Sequence, residues 1–377
     1  MNFDFSEDLH LLREQARKFL SDRCTPKVVR AVFESGQTHD AGLWREIAQM
    51  GWLGAAIPEE FGGAGLGHEG LCVLAEEIGR ALAPVPFGST AYLAAEALML
   101  HGSPTQKQTE LPRLARGESI TAFALAEGLG NPREAGVAVR FADGRLSGAK
   151  WPVLDGAAAD AALVVARDAG GGFALVRIAL DAPGVKRSPL DTLDPSRPMC
   201  RIDFDGVPAH PLGDRPLAWS DIERLLERAA VLVAFEQLGG ASTCLDMANA
   251  YAKERIAFGR PIGSFQAIKH KLADVFVANE LARSNAYYGA WALSTDAPEL
   301  PLAAAAARVS ATQAFHLASK ENIQVHGGMG FTWEMDCHLY YRRAKLLSTL
   351  LGSPPHWKER LVQQWEAQDE RNARSAA

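Results

Sequence analysis

Arg255-Ile256-Ala257-Phe258-Gly259-Arg260-Pro261-Ile262-Gly263-Ser264-Phe265-Gln266 ends one long stretch of helical periodicity and turns into another. Its Gly and Pro residues stop a helix and redirect the chain. Arg255 supplies a guanidinium able to clasp a phosphate through two parallel N–H donors, Phe258 an apolar face, and Gln266 an amide that can hydrogen-bond a nucleotide. By themselves these residues read equally well as a salt-bridged helix end followed by a Gly-Pro turn.

Downstream stands a second glycine loop, Gln324-Val325-His326-Gly327-Gly328-Met329-Gly330-Phe331, where a backbone free of side chains lets a ligand approach beside an amide. Alone, it is also a helix-terminating Gly turn. Upstream, Asp221 to Glu254 keeps helical periodicity, interrupted only by Gly239-Gly240, and a helix of that length spans about 50 Å. A further helix is expected over Ala267 to Ala278. Thr295-Asp296-Ala297-Pro298 breaks the helical pattern, Leu302 to about Val325 resumes it, and Ser353-Pro354-Pro355 ends the helix after His326-Gly327-Gly328. Before Asp221 the pattern differs. Thr121 to Leu125, Ala162 to Ala166, Ala174 to Ile178 and Ile202 to Phe204 are short Val-, Ile- and Phe-rich runs. They are separated by turn signals at Asp143-Gly144, Gly170 to Gly172 and Asp205-Gly206, which predicts antiparallel strands. Nearer the N-terminus, Leu9, Leu12, Ala16, Phe19 and Leu20 recur at helical spacing behind Ser6 as N-cap. The expected plan is α+β: an N-terminal helical domain over residues 1–117, a middle antiparallel β domain over 118–215, and a C-terminal domain like a four-helix bundle over 216–377.

The composition fits this plan and excludes several classes. The 377 residues are 47% hydrophobic, enough for more than one core. Lys and Arg number 39 against 45 Asp and Glu, so nothing basic invites nucleic acid. Five scattered cysteines without a C-x-x-C pair make no disulfide framework and point to a reducing compartment. Met1 to Asp8 is acidic where a signal peptide is basic and then apolar, and no uncharged apolar run reaches about 18 residues, so no membrane span and a cytoplasmic location are expected.

Three motifs are set aside. Gly65-Leu66-Gly67-His68-Glu69-Gly70 matches G-x-G-x-x-G, but it follows Pro58-Glu59-Glu60 rather than a strand, and no acidic residue stands about 20 positions on to hold a ribose. It reads as a turn between helices. His316, His326 and His338 include no i, i+4 pair, and Cys337 and His338 point to different helix faces, so no metal site is expected. No G-x-S-x-G nucleophile signature is present.

Taken together, the two loops resemble those of the acyl-CoA dehydrogenase family. The resemblance extends to Ile57-Pro58-Glu59-Glu60-Phe61-Gly62-Gly63, Glu76-Glu77-Ile78-Gly79-Arg80-Ala81 and Lys269-His270-Lys271-Leu272-Ala273-Asp274, and so covers almost the whole chain. It implies an acyl-CoA dehydrogenase-like fold and a FAD-dependent α,β-dehydrogenation of an acyl-CoA thioester. It also implies a tetramer in which each chain completes a neighbour's FAD site, and an electron-transferring flavoprotein as electron acceptor. Arg255, Phe258, Gln266, Gln324, Gly327 and Gly328 match the residues that reach the neighbour's FAD pyrophosphate and adenosine.

Other positions depart from the family. The flavin-facing T-E-P-x-x-G-S-D becomes Ala126-Glu127-Gly128-Leu129-Gly130-Asn131-Pro132-Arg133, and K-x-W-I-T-N-G becomes Lys150-Trp151-Pro152-Val153-Leu154-Asp155-Gly156. Each lost hydrogen bond to the ring forfeits about 1 kcal/mol. The catalytic carboxylate of Y-E-G-T falls on Leu351, and its alternative position in the long helix falls on Ala229, with Ala230 where an Arg often stands. Neither accepts a proton. Glu236 shares the face of Ala229 but stands two turns away, about 10 Å along the helix. One-sided loss of this kind resembles bacterial heteromeric acyl-CoA dehydrogenases of steroid side-chain degradation, with which the Ser353-Pro354-Pro355-His356-Trp357 ending is compatible. The expectation is a base-lacking subunit of an α2β2 assembly. The alternatives are a homotetramer using Glu236, a non-catalytic CoA-binding scaffold, and a flavin monooxygenase on the same fold.

Overall fold

The computed structural model describes residues 5–376, with side chains through residue 370, so Met1 to Asp4 of the acidic start lie outside the described residues. Among the described residues six α-helices come first: α1 (Glu7–Arg23), α2 (Pro26–Ser35), α3 (Ala41–Gln49), α4 (Gly67–Arg80), α5 (Ala95–His101) and α6 (Pro104–Ala115). Eight strands follow: β1 (Thr121–Ala124), β2 (Arg140–Ala142), β3 (Arg145–Leu154), β4 (Ala161–Arg167), β5 (Phe173–Ala179), β6 (Val185–Leu190), β7 (Met199–Pro208) and β8 (His210–Pro211). Then come α7 (Trp219–Glu254), the hairpin β9 (Ile256–Ala257) and β10 (Arg260–Pro261), α8 (Gln266–Ser294), α9 (Leu300–His326), α10 (Cys337–Thr349) and α11 (Pro354–Ala376). Among the described residues no helix is long and apolar enough to cross a membrane.

The chain forms two compact units. One comprises residues 1–26, 72–83 and 230–377; the other comprises 27–71 and 84–229. In the first unit, α9 packs against α8, α10 and α11. Helix α1 begins as the sequence predicts: Ser6 accepts the Leu9 N–H at 3.4 Å, and Glu7 and Asp8 sit at the positive end of the helix dipole. Gly239-Gly240 does not break α7, which is continuous over 36 residues. A Cβ at Gly239 would strike the Glu76 carbonyl of α4, and one at Gly240 would enter the Phe315 ring, while Gly79 of α4 makes room in turn for the Glu236 carbonyl. The pair is a helix crossing, where a missing side chain permits close backbone approach. Helix α8 likewise runs well past Ala278. Ser353-Pro354-Pro355 starts α11 rather than ending the preceding helix: α10 stops at Thr349, and Ser353 Oγ accepts the His356 N–H at 3.4 Å.

In the second unit, the strand order is β6-β7-β3-β2-β4-β5-β8, with β1 paired to β4. Antiparallel pairing dominates, and two pairings, β1 with β4 and β2 with β4, are parallel. Strand β4 is buried from Ala161 to Ala166, which explains its unbroken apolar run. Asp143-Gly144 turns β2 into β3, both residues having positive φ. Asp205-Gly206, read from sequence as a turn between strands, instead lies inside β7. Gly206 has φ +58 and the register against β3 shifts there, so the pair forms a bulge. Gly65 to Gly70 opens α4 after a short 3₁₀ turn, without the strand that a dinucleotide fingerprint requires.

Candidate functional site

Helix α7 ends where the Arg255 N–H bonds to the Tyr251 carbonyl at 2.8 Å, and the chain enters the β9–β10 hairpin. Ala257 pairs with Arg260 across a two-residue tip, Phe258-Gly259, with φ +52 and +79. Positive φ at both central residues is the pattern of a type I′ hairpin, which favours Asn-Gly. A Phe in that conformation costs ~1 kcal/mol, and this one is 95% exposed. Neither burial nor backbone preference accounts for a Phe at this tip. Beneath it, Phe265 meets the Phe258 ring edge-on at 6.2 Å and carries the Arg260 guanidinium at 4.1 Å.

Arg255 and Gln266 are exposed, and neither side chain makes a hydrogen bond or ion pair with another described residue. The salt-bridged reading of this helix end is therefore set aside. Gln324, at the end of α9, is exposed and uncommitted in the same way. Gly327 has φ +62 and ends the helix. Gly328 lacks a left-handed φ and has nothing within 4 Å of its Cβ position, so the packing of this chain does not demand glycine there. Arg255, Gln266 and Gln324 leave their polar heads to solvent, and a guanidinium and amides of this kind have the chemistry to hold a pyrophosphate and a nucleotide.

The second unit holds the segments that face a flavin ring in the family. Gly128 N–H bonds to the Trp151 carbonyl at 2.9 Å and Trp151 N–H to the Ala126 carbonyl at 2.8 Å, joining the two altered motifs side by side. Of the two carboxylates there, Glu127 accepts from the Ala138 and Val139 amides at 2.9 and 3.1 Å and from Lys150 Nζ at 2.6 Å. Lys150 is fully buried and also donates to the Leu125 carbonyl at 2.9 Å. Burial lowers its pKa to about 8, against the pull of Glu127. Pro152 has no N–H, Leu154 is buried and apolar, and Asp155 is clasped by Arg197 at 2.9 and 2.7 Å. No side-chain donor is left over from residues 126, 127, 152 and 154 for a ring.

Both family base positions are buried and aliphatic, Ala229 in the second unit and Leu351 in the first. The turn that carries Leu351 is nevertheless firmly built. Leu351 has φ +63 and Gly352 φ +120, and the buried Arg308 donates to the Leu347 carbonyl and to the Leu350 carbonyl at 2.8 Å. Arg308 also bonds Gln237 at 2.5 Å and Thr312 at 2.9 Å, and burial lowers its pKa to about 9 while Glu236 opposes the drop. Glu236 is 1% exposed, with Arg343 Nη1 3.5 Å from its carboxylate. Its surroundings are those of a structural ion pair in the bundle core.

Sequence reading did not anticipate one further cluster. Glu96 of α5 is buried between His68 Nε2 at 2.9 Å and the Arg228 Nε, and Arg228 Nη2 reaches His68 at 3.2 Å. Burial raises the Glu96 pKa, but His68 and Arg228 outweigh it and hold the carboxyl below its ordinary range. The G-x-G-x-x-G segment thus delivers a histidine to an ion pair, and no phosphate role is needed to explain it.

With this geometry in hand, comparison with known proteins is direct. The acyl-CoA dehydrogenase N-terminal domain matches residues 6–118 and the C-terminal domain of the same enzymes matches 219–354. Acyl-CoA dehydrogenase IpdE2 of Mycobacterium tuberculosis is 35% identical over 96% of this chain and 98% of its own length. Among solved structures, the Tcur3481-Tcur3483 steroid ACAD superposes with a TM-score of 0.87 at 33% identity, covering 97% of this chain and 99% of its own. The ChsE4-ChsE5 complex from Mycobacterium tuberculosis superposes with a TM-score of 0.89 at 29% identity, with the same coverage.

Proposed function

The chain belongs to the acyl-CoA dehydrogenase family of FAD-dependent oxidoreductases, and from that premise we propose that it works as the base-lacking subunit of an α2β2 dehydrogenase. Its partner carries the carboxylate, and this chain completes the partner's FAD site. Bound FAD supplies the hydride acceptor for α,β-dehydrogenation of an acyl-CoA thioester.

The observation that carries this reading is a contrast within one chain. The half-site a family member lends to its neighbour has exposed, uncommitted donors in Arg255, Gln266 and Gln324. In the half-site it keeps for itself, Glu127, Lys150 and Asp155 are spent on internal bonds, and Leu351 and Ala229 hold no proton acceptor. Arg255 would neutralise and orient the pyrophosphate, Gln266 and Gln324 would hydrogen-bond the nucleotide, and Phe258 would cover an apolar face of it and exclude water. The α-proton of the acyl-CoA then passes to the partner's carboxylate. Similarity to a two-protein complex, ChsE4-ChsE5, and to a steroid ACAD supports a mixed assembly acting on steroid-derived acyl-CoA. An electron-transferring flavoprotein takes the electrons, as in the family. Five buried cysteines, none in a disulfide among the described residues, support a reducing, cytoplasmic setting.

The test is FAD stoichiometry. Purified alone, the chain should hold essentially none; co-expressed with a base-carrying acyl-CoA dehydrogenase it should hold about one FAD per heterodimer, and Arg255→Ala should strip that FAD. One FAD per chain in isolation, with turnover of acyl-CoA, overturns the proposal in favour of a self-sufficient homotetramer. A mixed complex without flavin, indifferent to Arg255→Ala, overturns it in favour of a scaffold.

A further inference from the structure

The two loops of the outward half-site leave different helices, Arg255 to Gln266 after α7 and Gln324 to Gly328 at the end of α9. A dinucleotide touched by both requires a fixed spacing between them. Tyr251 lies in the last turn of α7, and its carbonyl receives the Arg255 N–H at 2.8 Å, so its position fixes where the arginine loop begins. Its ring stacks on His326, with centroids 4.2 Å apart and planes inclined by 26°. His326 is buried and lies between Gln324 and Gly327 in sequence. Its Nδ1 donates to the Asn322 carbonyl at 2.8 Å, which orients the ring, because a carbonyl only accepts. The Tyr251 hydroxyl reaches Met329 Sδ, one residue past Gly328, at 3.7 Å. Thus a single side chain touches the second loop on both sides of Gly327-Gly328 while its own backbone anchors the first.

We infer that Tyr251 and His326 are positioning residues for FAD: their stack sets the distance between Arg255 and Gln266 on one loop and Gln324, Gly327 and Gly328 on the other. This rests on the half-site reading proposed above. The surrounding cluster of Ala248, Ala252 and Val325, against which Tyr251 itself packs together with Ile262, Ile268 and Leu272, joins the same elements by non-directional apolar contact. Such contact holds helices together without fixing the register of two loops; a stacked, hydrogen-bonded ring pair has a preferred geometry. A Leu at position 251 keeps apolar contact with that cluster and loses only the stack, so its effect should fall on FAD binding more than on folding.

The experiment uses the assembled complex with its base-carrying partner and measures the FAD dissociation constant by flavin fluorescence, well below the melting transition. Melting of the flavin-free complex is followed alongside. Tyr251→Leu and His326→Leu should weaken FAD roughly tenfold, the upper end of what one aromatic pair accounts for, with little change in flavin-free melting. Tyr251→Phe and His326→Phe keep two stacked rings and should retain most of the affinity. Unchanged FAD affinity in Tyr251→Leu overturns the inference, as does an affinity loss that Tyr251→Phe fails to rescue. If a Leu variant does not assemble, the Phe variants against Tyr251→Met decide by the same criterion. Arg255→Ala separates the two levels. Where it strips FAD and Tyr251→Leu does not, only the positioning role fails; where neither matters, the half-site reading itself fails.

Discussion

Glu96 illustrates how a buried charge is tolerated when its partners are good. It is 1% exposed, yet His68 and Arg228 outweigh burial and keep its carboxyl below the ordinary value of 4.5. Because the folded pKa is lower than the unfolded one, the stability it contributes is complete above about pH 4.5 and is lost as pH falls through the folded value. Glu76 behaves likewise: burial raises its pKa, and Arg283 at 2.8 Å and Arg13 at 3.4 Å more than reverse the shift. Urea midpoints measured from pH 7 to 3 should therefore fall steeply below about pH 4.5, and Glu96→Gln should flatten that fall. At pH 7 the same substitution should cost roughly 3 kcal/mol, since it leaves Arg228 buried without its counter-charge. Parallel pH profiles for the two proteins would rule this account out.

The β9–β10 hairpin joins local strain to function at the level of an element. Phe258 occupies a position where Asn is the natural choice, and it does so fully in solvent. Phe258→Asn should thus stabilise the isolated chain by ~0.5–1 kcal/mol, by relieving a left-handed Phe, and should lower FAD retention in the mixed complex. Thermal melting of the chain alone and flavin content of the complex give the two readouts, and a Phe258→Asn variant that melts lower alone would refute the strain argument. Most elements were legible beforehand. Ser6 capping α1, the turn at Asp143-Gly144 and the helix over Asp221 to Glu254 follow from propensity and period. Three local signals misled. Gly239-Gly240, Asp205-Gly206 and Ser353-Pro354-Pro355 all resemble breaks, but the first accommodates a crossing helix, the second makes a bulge inside β7, and the third initiates α11. Glycine and proline mark positions where backbone geometry is special, and local sequence alone does not say whether the cause is a turn or a neighbour.

At the scale of the whole molecule, the function proposed above gives this chain an outward half-site for a partner's FAD and places activity in a mixed assembly. In the active mixed complex, Glu236→Gln should leave the rate of flavin reduction by acyl-CoA within about twofold of the parent, because a lost catalytic base costs at least 10². Stopped-flow bleaching of the flavin measures this, and loss of reduction with FAD retained would make Glu236 the base. The family, the helical and strand-rich stretches and the absence of a carboxylate at positions 229 and 351 were all determined by sequence alone. They are matters of residue type at motif spacing, and type and spacing are what a sequence contains. Tertiary structure decided the rest: that Arg255 is unanswered by any described acid, that Glu236 lies beside Arg343, and that His68 and Arg228, 160 residues apart, meet on Glu96. It also decided that Tyr251 stacks on His326. These depend on proximity between distant segments and on which side chains water can reach, and neither is encoded in local period or propensity.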